Sequence, residues 1–259
     1  MIIQWLLLLP MLNGVESDIS QYALTSQEND ERLEQCGRFS PNESEETWLY
    51  QLFILTTGRS LTAVSVINQK HVLASSHSVL FYNDGSYQWG HNDSVFDREA
   101  YCKSGMSYLE LPVNLIRRIG RIERNRVLQG YILGICDHNA SHYPMILAFS
   151  EPFKSFVCIA DKNTKIPKSV YTYLFGDESK YRVPGRVLNV SEYSIDIEMS
   201  EIVNSGPIIA DFHYRETAIG VLRSINVPKI MVNAQLIPFE SLCSLLGICY
   251  KKWPTTTPA

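Results

Sequence analysis

Two residues of this chain could do chemistry together, a histidine and a serine that lie far apart in the sequence. His77 closes the stretch from Lys70 to His77, where apolar and then small residues are typical of a buried strand entering a loop. Ser205 precedes Gly206-Pro207, a pair typical of a turn. An imidazole beside a serine hydroxyl can take its proton and so activate it for acyl transfer. The rest of the chain must supply elements that bring these two side chains together.

The elements that follow residue 47 are mostly short strands. Apolar and alternating runs recur between turn residues, which favours a β-sandwich or a β-barrel over residues 48–250. The spacing of Phe239, Leu242, Leu245 and Leu246 predicts a short C-terminal helix. The candidate strands are Trp48 to Leu55, Leu61 to Ile67, Val113 to Ile122, Val127 to Ile135, Met145 to Phe149, Val170 to Phe175, Arg186 to Val190, Pro207 to Ala210, Ile219 to Arg223 and Ile230 to Ala234.

Both ends of the chain differ from this β-rich part. Residues 1–17 predict a secretory signal peptide, because an apolar run from Ile2 to Leu12 is followed by small or polar residues. A membrane anchor is the alternative, but the run is shorter than the ~20 residues needed to span a bilayer. Residues 18–47 predict a polar surface arm with one helical turn and an acidic linker, and residues 251–259 a flexible tail. We therefore expect a secreted, extracellular protein with no transmembrane segment.

The cysteines agree with an oxidising compartment. An even number behind a signal peptide predicts disulfides, although the sequence leaves their pairing open. A zinc site is the alternative, but Cys243 and Cys249 lack the close spacing of metal ligands and no histidines surround them. We expect no metal and no cofactor. The six cysteines are Cys36, Cys102, Cys136, Cys158, Cys243 and Cys249.

Composition narrows the class of partner. Apolar residues make up 45% of the chain and charged residues 19%, enough for a sizeable core. A net charge of -4 argues against nucleic acid, which calls for a basic surface. Four Asn-x-Ser/Thr sequons are candidates for N-linked glycans in a secreted chain. They begin at Asn42, Asn92, Asn139 and Asn189.

Several segments, in order, resemble the trypsin-like serine protease superfamily, and in particular a nematode group of secreted trypsin-like proteins of unassigned function. Gln69 to His77 resembles the group's histidine motif, and Asn204 to Ile209 stands where its nucleophile loop belongs. The resemblance implies two six-stranded antiparallel β-barrels with a C-terminal helix, and an active site in the cleft between the barrels. The other matching segments are Glu28 to Gly37, Pro144 to Leu147, Phe156 to Asp161 and Leu242 to Cys249.

The same resemblance exposes gaps in the catalytic machinery. His77 stands at the position of the general base, but Pro144 stands where the family has its aspartate. Aligned without a gap, Asn204 occupies the position of the nucleophile and Val203 that of the buried aspartate beside it. If the loop is one residue shorter, Ser205 is the nucleophile, and the turn that forms the oxyanion hole must differ.

Other parts of the family's mechanism are changed as well. Asp137 could replace the missing acid only if its loop folded back. Arg38 is followed by Phe-Ser-Pro rather than by the new amino terminus of an activated protease. Arg223 follows the Gly-Val-Leu strand where a long cation would partly fill the cleft. The base of the specificity pocket falls near Glu198 or Met199, and the sequence leaves that choice open.

The resemblance also implies disulfide pairs. Cys36 resembles a propeptide cysteine tied to the middle of the domain, which gives Cys36–Cys158. Cys243–Cys249 would tie the end helix, and this leaves Cys102 with Cys136.

The sequence favours a secreted trypsin-like pseudoprotease that serves as a binding or regulatory module. The expected partner is an extracellular protein or glycan. The alternative is a weak or unconventional serine endopeptidase that uses His77 and Ser205. A third reading is a secreted β-rich domain unrelated to proteases, in which the histidine motif is a coincidence.

Overall fold

A computed structural model describes residues 19–38, 48–53, 60–90, 93–119, 121–122, 125–175, 180–203, 205–222 and 230–250. The expected signal peptide and flexible tail lie outside the described residues, as does the linker with Asn42. Asn92, Asn204 and Arg223 also lie outside them. Within the described part, no helix is both long and apolar enough to cross a membrane.

The N-terminal half is built on one antiparallel sheet of seven strands. Its order is β1-β2-β3-β10-β9-β7, with β8 also paired to β9, and β4, β5 and β6 form a separate small sheet. The strands are β1 (Leu49–Phe53), β2 (Ser60–Val66), β3 (His71–Ser75), β4 (Leu80–Asn83), β5 (Ser86–Trp89), β6 (Val95–Phe96), β7 (Tyr108–Glu110), β8 (Arg121–Ile122), β9 (Asn125–Leu133) and β10 (Pro144–Phe149).

The C-terminal half closes into a barrel. Six antiparallel strands follow one another in the order β16-β15-β12-β13-β14-β17, and β17 pairs back with β16. The short β11 adds to β16 in parallel. The strands are β11 (Cys158–Ile159), β12 (Ser169–Phe175), β13 (Lys180–Val190), β14 (Ser194–Met199), β15 (Gly206–Phe212), β16 (Arg215–Leu222) and β17 (Met231–Leu236).

The expected all-β, trypsin-like architecture is confirmed, with one difference between its halves. The C-terminal barrel is closed by strand pairing, whereas the N-terminal sheet is only partly barrel-like, with β1 lying against β8. An apolar cluster fills the interior of the C-terminal barrel, and a larger one joins the N-terminal sheet to the two ends of the chain.

The helices are α1 (Ser26–Gln35), α2 (Arg98–Cys102), α3 (Val113–Ile116) and α4 (Phe239–Leu246), and two 3-10 turns span Ile19–Tyr22 and Ser76–Ser78. The helix expected at the C-terminus is present as α4. The strand expected from Val113 to Ile122 is wrong, because Pro112 starts α3 there and only β8 remains extended. Strand β14 was not among the candidates although its residues alternate between buried and half-buried positions.

The expectation of an arm with one helical turn is also wrong, because α1 is a ten-residue helix. Thr25 and Glu28 form a capping box, in which each side chain bonds the other residue's backbone N–H. Arg32 is 2% exposed, and its guanidinium donates to the carbonyl of Cys249 and to Asn29. Burial lowers the pKa of Arg32 to about 10. The arm is therefore docked against the C-terminal end of the domain.

Three disulfides are present, Cys36–Cys158, Cys102–Cys136 and Cys243–Cys249. These are the pairs that the resemblance implies. Cys36–Cys158 closes a loop of 122 residues and fixes the end of α1 to β11. In the chain-entropy account, a loop of that length stabilises the fold by about 4–5 kcal/mol.

A buried carboxylate joins the two halves. Glu216 in β16 is 1% exposed, and Oε2 accepts a hydrogen bond from Nε1 of Trp48 at 2.7 Å. Oε1 accepts from the hydroxyls of Tyr171 and Tyr173 at 2.9 and 2.8 Å, and from Arg182 at 2.7 Å. Burial raises the pKa of Glu216, and the bonds from these donors oppose that rise. We call Glu216 and its four partners the carboxylate hub.

We expect Glu216→Gln to lower the free energy of unfolding by about 3–5 kcal/mol, because an amide NH₂ would face donors that now bond a carboxylate oxygen. Urea unfolding measures this loss. Asp211→Asn is the matched control, because Asp211 is exposed and also bonds the Tyr171 hydroxyl. It should change the free energy by less than about 1 kcal/mol. Equal losses in the two variants would contradict the hub's role.

His71 makes the fold sensitive to acid. Its side chain is fully buried, and Nδ1 lies 3.0 Å from Oδ1 of Asn68, which also accepts from the backbone N–H groups of Lys70 and His71. Since that oxygen only accepts, Nδ1 carries the proton. No hydrogen-bond partner for Nε2 lies among the described residues. Burial, and then the charge of Lys70, lower the pKa of His71 to about 3.

The neutral form of His71 is therefore favoured in the folded protein. Its contribution to stability is complete above the unfolded pKa of about 6.5 and is lost as the pH falls from there toward 3. We expect the free energy of unfolding to fall by up to about 1.4 kcal/mol per pH unit more steeply in the native protein than in His71→Phe. Urea unfolding between pH 7 and pH 5 measures both slopes. Parallel slopes would refute the assignment.

Candidate functional site

His77 is positioned by a strand and a tight turn. All five residues of β3 are buried, and the side chain of Ser75 then caps the 3-10 turn of Ser76–Ser78 that holds the imidazole. His77 is half-buried, and its ring lies edge-on to Phe81 with centroids 6.2 Å apart. The base position of the resemblance is thus at the end of β3, where the N-terminal sheet meets the C-terminal barrel.

The strand beside His77 offers no carboxylate. Pro144, which stands at the family's acid position, pairs with Ser75 at the start of β10. Just before it, Ser76 donates its backbone N–H to the carbonyl of Tyr143 at 2.8 Å, and Tyr143 donates to the Ser76 hydroxyl at 2.9 Å. One more step along this register places His142 opposite His77. The residue across from the base is therefore a second histidine.

His142 is committed to neutral hydrogen bonds. It is 1% exposed, with Nε2 lying 3.2 Å from the carbonyl oxygen of Val221 and Nδ1 3.2 Å from the hydroxyl of Ser141. A carbonyl oxygen only accepts, so Nε2 carries the proton, and the serine hydroxyl donates to Nδ1. A residue that replaces the aspartate must instead accept a proton from the base. His142 fastens β10 to β16 and does not supply that acceptor.

Asp137, the other candidate acid, is exposed in the loop between β9 and β10. Its backbone N–H donates to the carbonyl of Gly134 in a turn. Among the described residues it makes no bond to His77. The expected rescue of the acid by a folded-back loop therefore has no contact to support it.

Ser205 enters the same junction from the barrel side. It is 8% exposed and directly precedes β15, which lies against β2 and β3. Gly206 has φ +146°, and a Cβ there would stand 3.1 Å from Oγ1 of Thr172 and 3.4 Å from Cβ of Ala63. Ser205 and His77 both stand where the two halves meet. Asn204, the other occupant of the nucleophile position, lies outside the described residues.

Val203 shows what became of the neighbouring aspartate position. Its side chain is 2% exposed and packs in the apolar interior of the C-terminal barrel. In the family that position carries the carboxylate that pairs with a new amino terminus. An apolar side chain in an apolar interior has no such bond to make, so this part of an activation switch is replaced by core packing.

The base of the specificity pocket is resolved by the register of β14. Glu198 points outward, and its Oε2 accepts from Arg186 at 2.6 and 3.1 Å. Met199 points into the barrel, where it is 1% exposed and crowds Gly185 so closely that a Cβ there would lie 2.6 Å from its sulfur. The inward residue is therefore a thioether, and the carboxylate is held on the outer surface by its own cation.

Sequence reasoning missed the contacts that fix the loop between β9 and β10. The hydroxyls of Tyr87 and Tyr143 lie 2.7 Å apart, and Tyr143 donates to the carbonyl of His138 at 2.8 Å. Burial raises the pKa of Tyr87. The ring of His138 stacks on Tyr193 of the barrel, with centroids 4.4 Å apart. The only signal in the sequence is the density of aromatic residues near His138, which does not say where they meet.

No group of three or more His, Cys, Asp or Glu side chains in the described part of the chain is arranged to hold a metal ion. The site therefore consists of one imidazole, one serine hydroxyl and backbone groups, in a setting where the acid position is filled by proline. What it can do chemically depends on whether the serine is activated without a carboxylate.

A closed six-stranded barrel joined to a second antiparallel sheet, with a histidine at their junction, defines the trypsin-like class of proteins. Residues 7–249 match the nematode trypsin-6-like family, and the chain belongs to that family. Among solved structures it is similar to kallikrein-related peptidase 10 in complex with Zn²⁺, with 10% sequence identity and a TM-score of 0.48. That match covers 79% of this chain and 96% of the other. No curated protein matches the chain.

Because Met199 faces inward and Glu198 is paired outside, benzamidine, an analogue of the arginine side chain, should leave the melting temperature unchanged. Active trypsin, measured in parallel, is the positive control for the ligand. Arg186→Ala is the matched variant, since it releases Glu198 without turning it inward. A rise in melting temperature that disappears in Glu198→Gln would show that this carboxylate does reach the pocket.

Proposed function

We propose that this protein is a secreted, catalytically inactive member of its family that acts as an extracellular binding or regulatory module. The observation that carries the proposal is the register between β3 and β10, which puts Pro144, Tyr143 and His142 across from Ser75, Ser76 and His77. Without a carboxylate to fix its tautomer, the histidine of such a site loses on the order of 10⁴ in rate.

Two further features support the same proposal. Val203 is packed into the core, so the aspartate that switches family zymogens on has no counterpart. The arm before the predicted activation position is docked by Arg32 and by the Cys36–Cys158 disulfide. Secretion is supported by the apolar run at residues 2–12 and by three disulfides.

The fold retains a surface on which such a module could bind. Loss of the chemistry leaves the junction between the two halves in place, and function resides in sites rather than in folds. The partner we propose is an extracellular protein or glycan. The competing activity is weak serine endopeptidase chemistry through His77 and Ser205.

The deciding measurement is labelling of the purified, disulfide-bonded protein with a fluorophosphonate probe, which reacts with activated serines. We expect no labelling of the native protein above the level of Ser205→Ala and His77→Ala. Ser244→Ala, which removes an exposed serine of α4, is the matched control for background reaction. Trypsin in the same assay confirms that the probe is competent.

Labelling that is lost in both Ser205→Ala and His77→Ala, and kept in Ser244→Ala, would overturn the proposal and establish an enzyme. Near-ultraviolet circular dichroism of each variant is required alongside, so that a lost label reflects lost chemistry rather than a lost fold.

A further inference from the structure

One hairpin exposes an apolar surface. β13 and β14 extend beyond the barrel, and Leu188, Val190 and Tyr193 at their tip are 44%, 49% and 37% exposed. The pairing register shifts between Val187 and Asn189, so Leu188 lies in a bulge and turns outward. We call the three side chains the apolar tip. Neighbouring large apolar side chains in contact with water usually mark a surface that something covers.

A sequon runs through the apolar tip itself. Asn189 is exposed, and its only side-chain hydrogen bond in the described part of the chain is a long one, 3.4 Å from Nδ2 to Oδ2 of Asp196. Ser191 completes the sequon, and its hydroxyl bonds Ser194 within the turn. The amide nitrogen of Asn189 thus faces solvent between Leu188 and Val190.

A second sequon reaches the same surface from the other half of the protein. The ring of His138 stacks on Tyr193 at an interplanar angle of 11°, and its Nε2 lies 2.8 Å from Oε1 of Gln235. Asn139 is the next residue and is exposed. Two sequons from separate parts of the chain therefore flank one aromatic side chain of the apolar tip.

We propose that Asn139 and Asn189 both carry N-linked glycans and that these glycans cover the apolar tip. The proposal rests on the proposed secretion, because the oligosaccharide comes from a lipid-pyrophosphate donor in the secretory compartment. Nδ2 of the asparagine bonds to C1 of the first sugar and gives up one proton. The bond from C1 to the phosphate oxygen breaks, and the lipid pyrophosphate leaves.

The positions favour glycans over a protein partner as the cover. A protein that packed on Leu188 and Val190 would have to bury Asn189, which lies between them, and approach past Asn139 on the far side of Tyr193. A glycan at either residue places hydrophilic mass at that approach, while the faces of its first sugars lie over the apolar side chains. The partner of the module would then bind elsewhere.

The test uses the full chain expressed in animal cells in two forms. One form has its own residues 1–17, and the other has the signal peptide of a known secreted protein in their place. Protein in the medium from the first form reports on secretion. Glycopeptide mass spectrometry of the second form reports on Asn139 and Asn189 whatever the native signal does, so failure of secretion and failure of this inference are separate results.

We expect Asn139→Gln and Asn189→Gln each to remove one glycan from the intact mass. Ser141→Thr and Ser191→Thr are the matched controls, because they keep the sequon and a hydroxyl, and they should keep the glycan. Secreted, folded protein with an unmodified asparagine at either position would overturn the proposal and leave the apolar tip open to a protein partner.

Coverage has its own readout. Removing the glycans from the folded protein with a peptide N-glycosidase should raise the fluorescence of a hydrophobic dye at least about twofold, because such dyes bind exposed apolar surface. A variant that combines Leu188→Ser with Val190→Thr keeps both sequons and should show no such rise. An unchanged signal in the native chain would show that the glycans do not cover the apolar tip.

Discussion

The buried carboxylate of Glu216 is the interaction on which the joining of the two halves depends. Taking an ionised carboxylate out of water costs several kcal/mol unless hydrogen bonds replace the lost solvation. Here the replacement comes from both sides, with Trp48 from the segment before β1 and Tyr171, Tyr173 and Arg182 from the barrel. The charge is tolerated only when all of these donors are in place, so it fixes how the segment before β1 meets the barrel.

The candidate site inherits its character from that same junction. β10 is held to the end of β3 by the bonds between Ser76 and Tyr143, and to β16 by His142. Groups that a protease would leave free to accept and donate protons are here used to bond strands to one another. The junction has kept the geometry of a cleft and has spent its polar atoms on structure, which is the physical sense in which a catalytic fold becomes a module for binding.

Some of this could be predicted from the sequence and some could not. The strands with strong apolar alternation, the helix α4 and the three cysteine pairs follow from patterns or from the family resemblance. Helix α1 does not, because its buried residues are Asn29 and Arg32, which give no apolar period. Strand β14 was missed even though Ile195 and Ile197 alternate with acidic residues, since Asp and Glu are depleted in strands.

The candidate site shows the same division. His77 carries a motif and was found, whereas His142 became visible only through strand register and the tautomer that Val221 imposes. Glu216 lies in an alternating strand and its one-letter pattern is that of a surface residue, because nothing in the sequence announces four donors from distant segments. The choice between Glu198 and Met199 likewise needed the register of β14, since a shift by one residue exchanges the two faces of a strand.

The docking of α1 against the last described residues has a consequence for how the protein is made. The arm leaves the ribosome first, yet the guanidinium of Arg32 and the carboxamide of Asn29 find their acceptor at Cys249, and the N–H of Leu24 finds its own at Leu246. Until those residues emerge, a cation and an amide that the finished protein buries must stay in water. Synthesis from one end therefore cannot complete this domain piece by piece, and its final packing is reserved for the fully released chain.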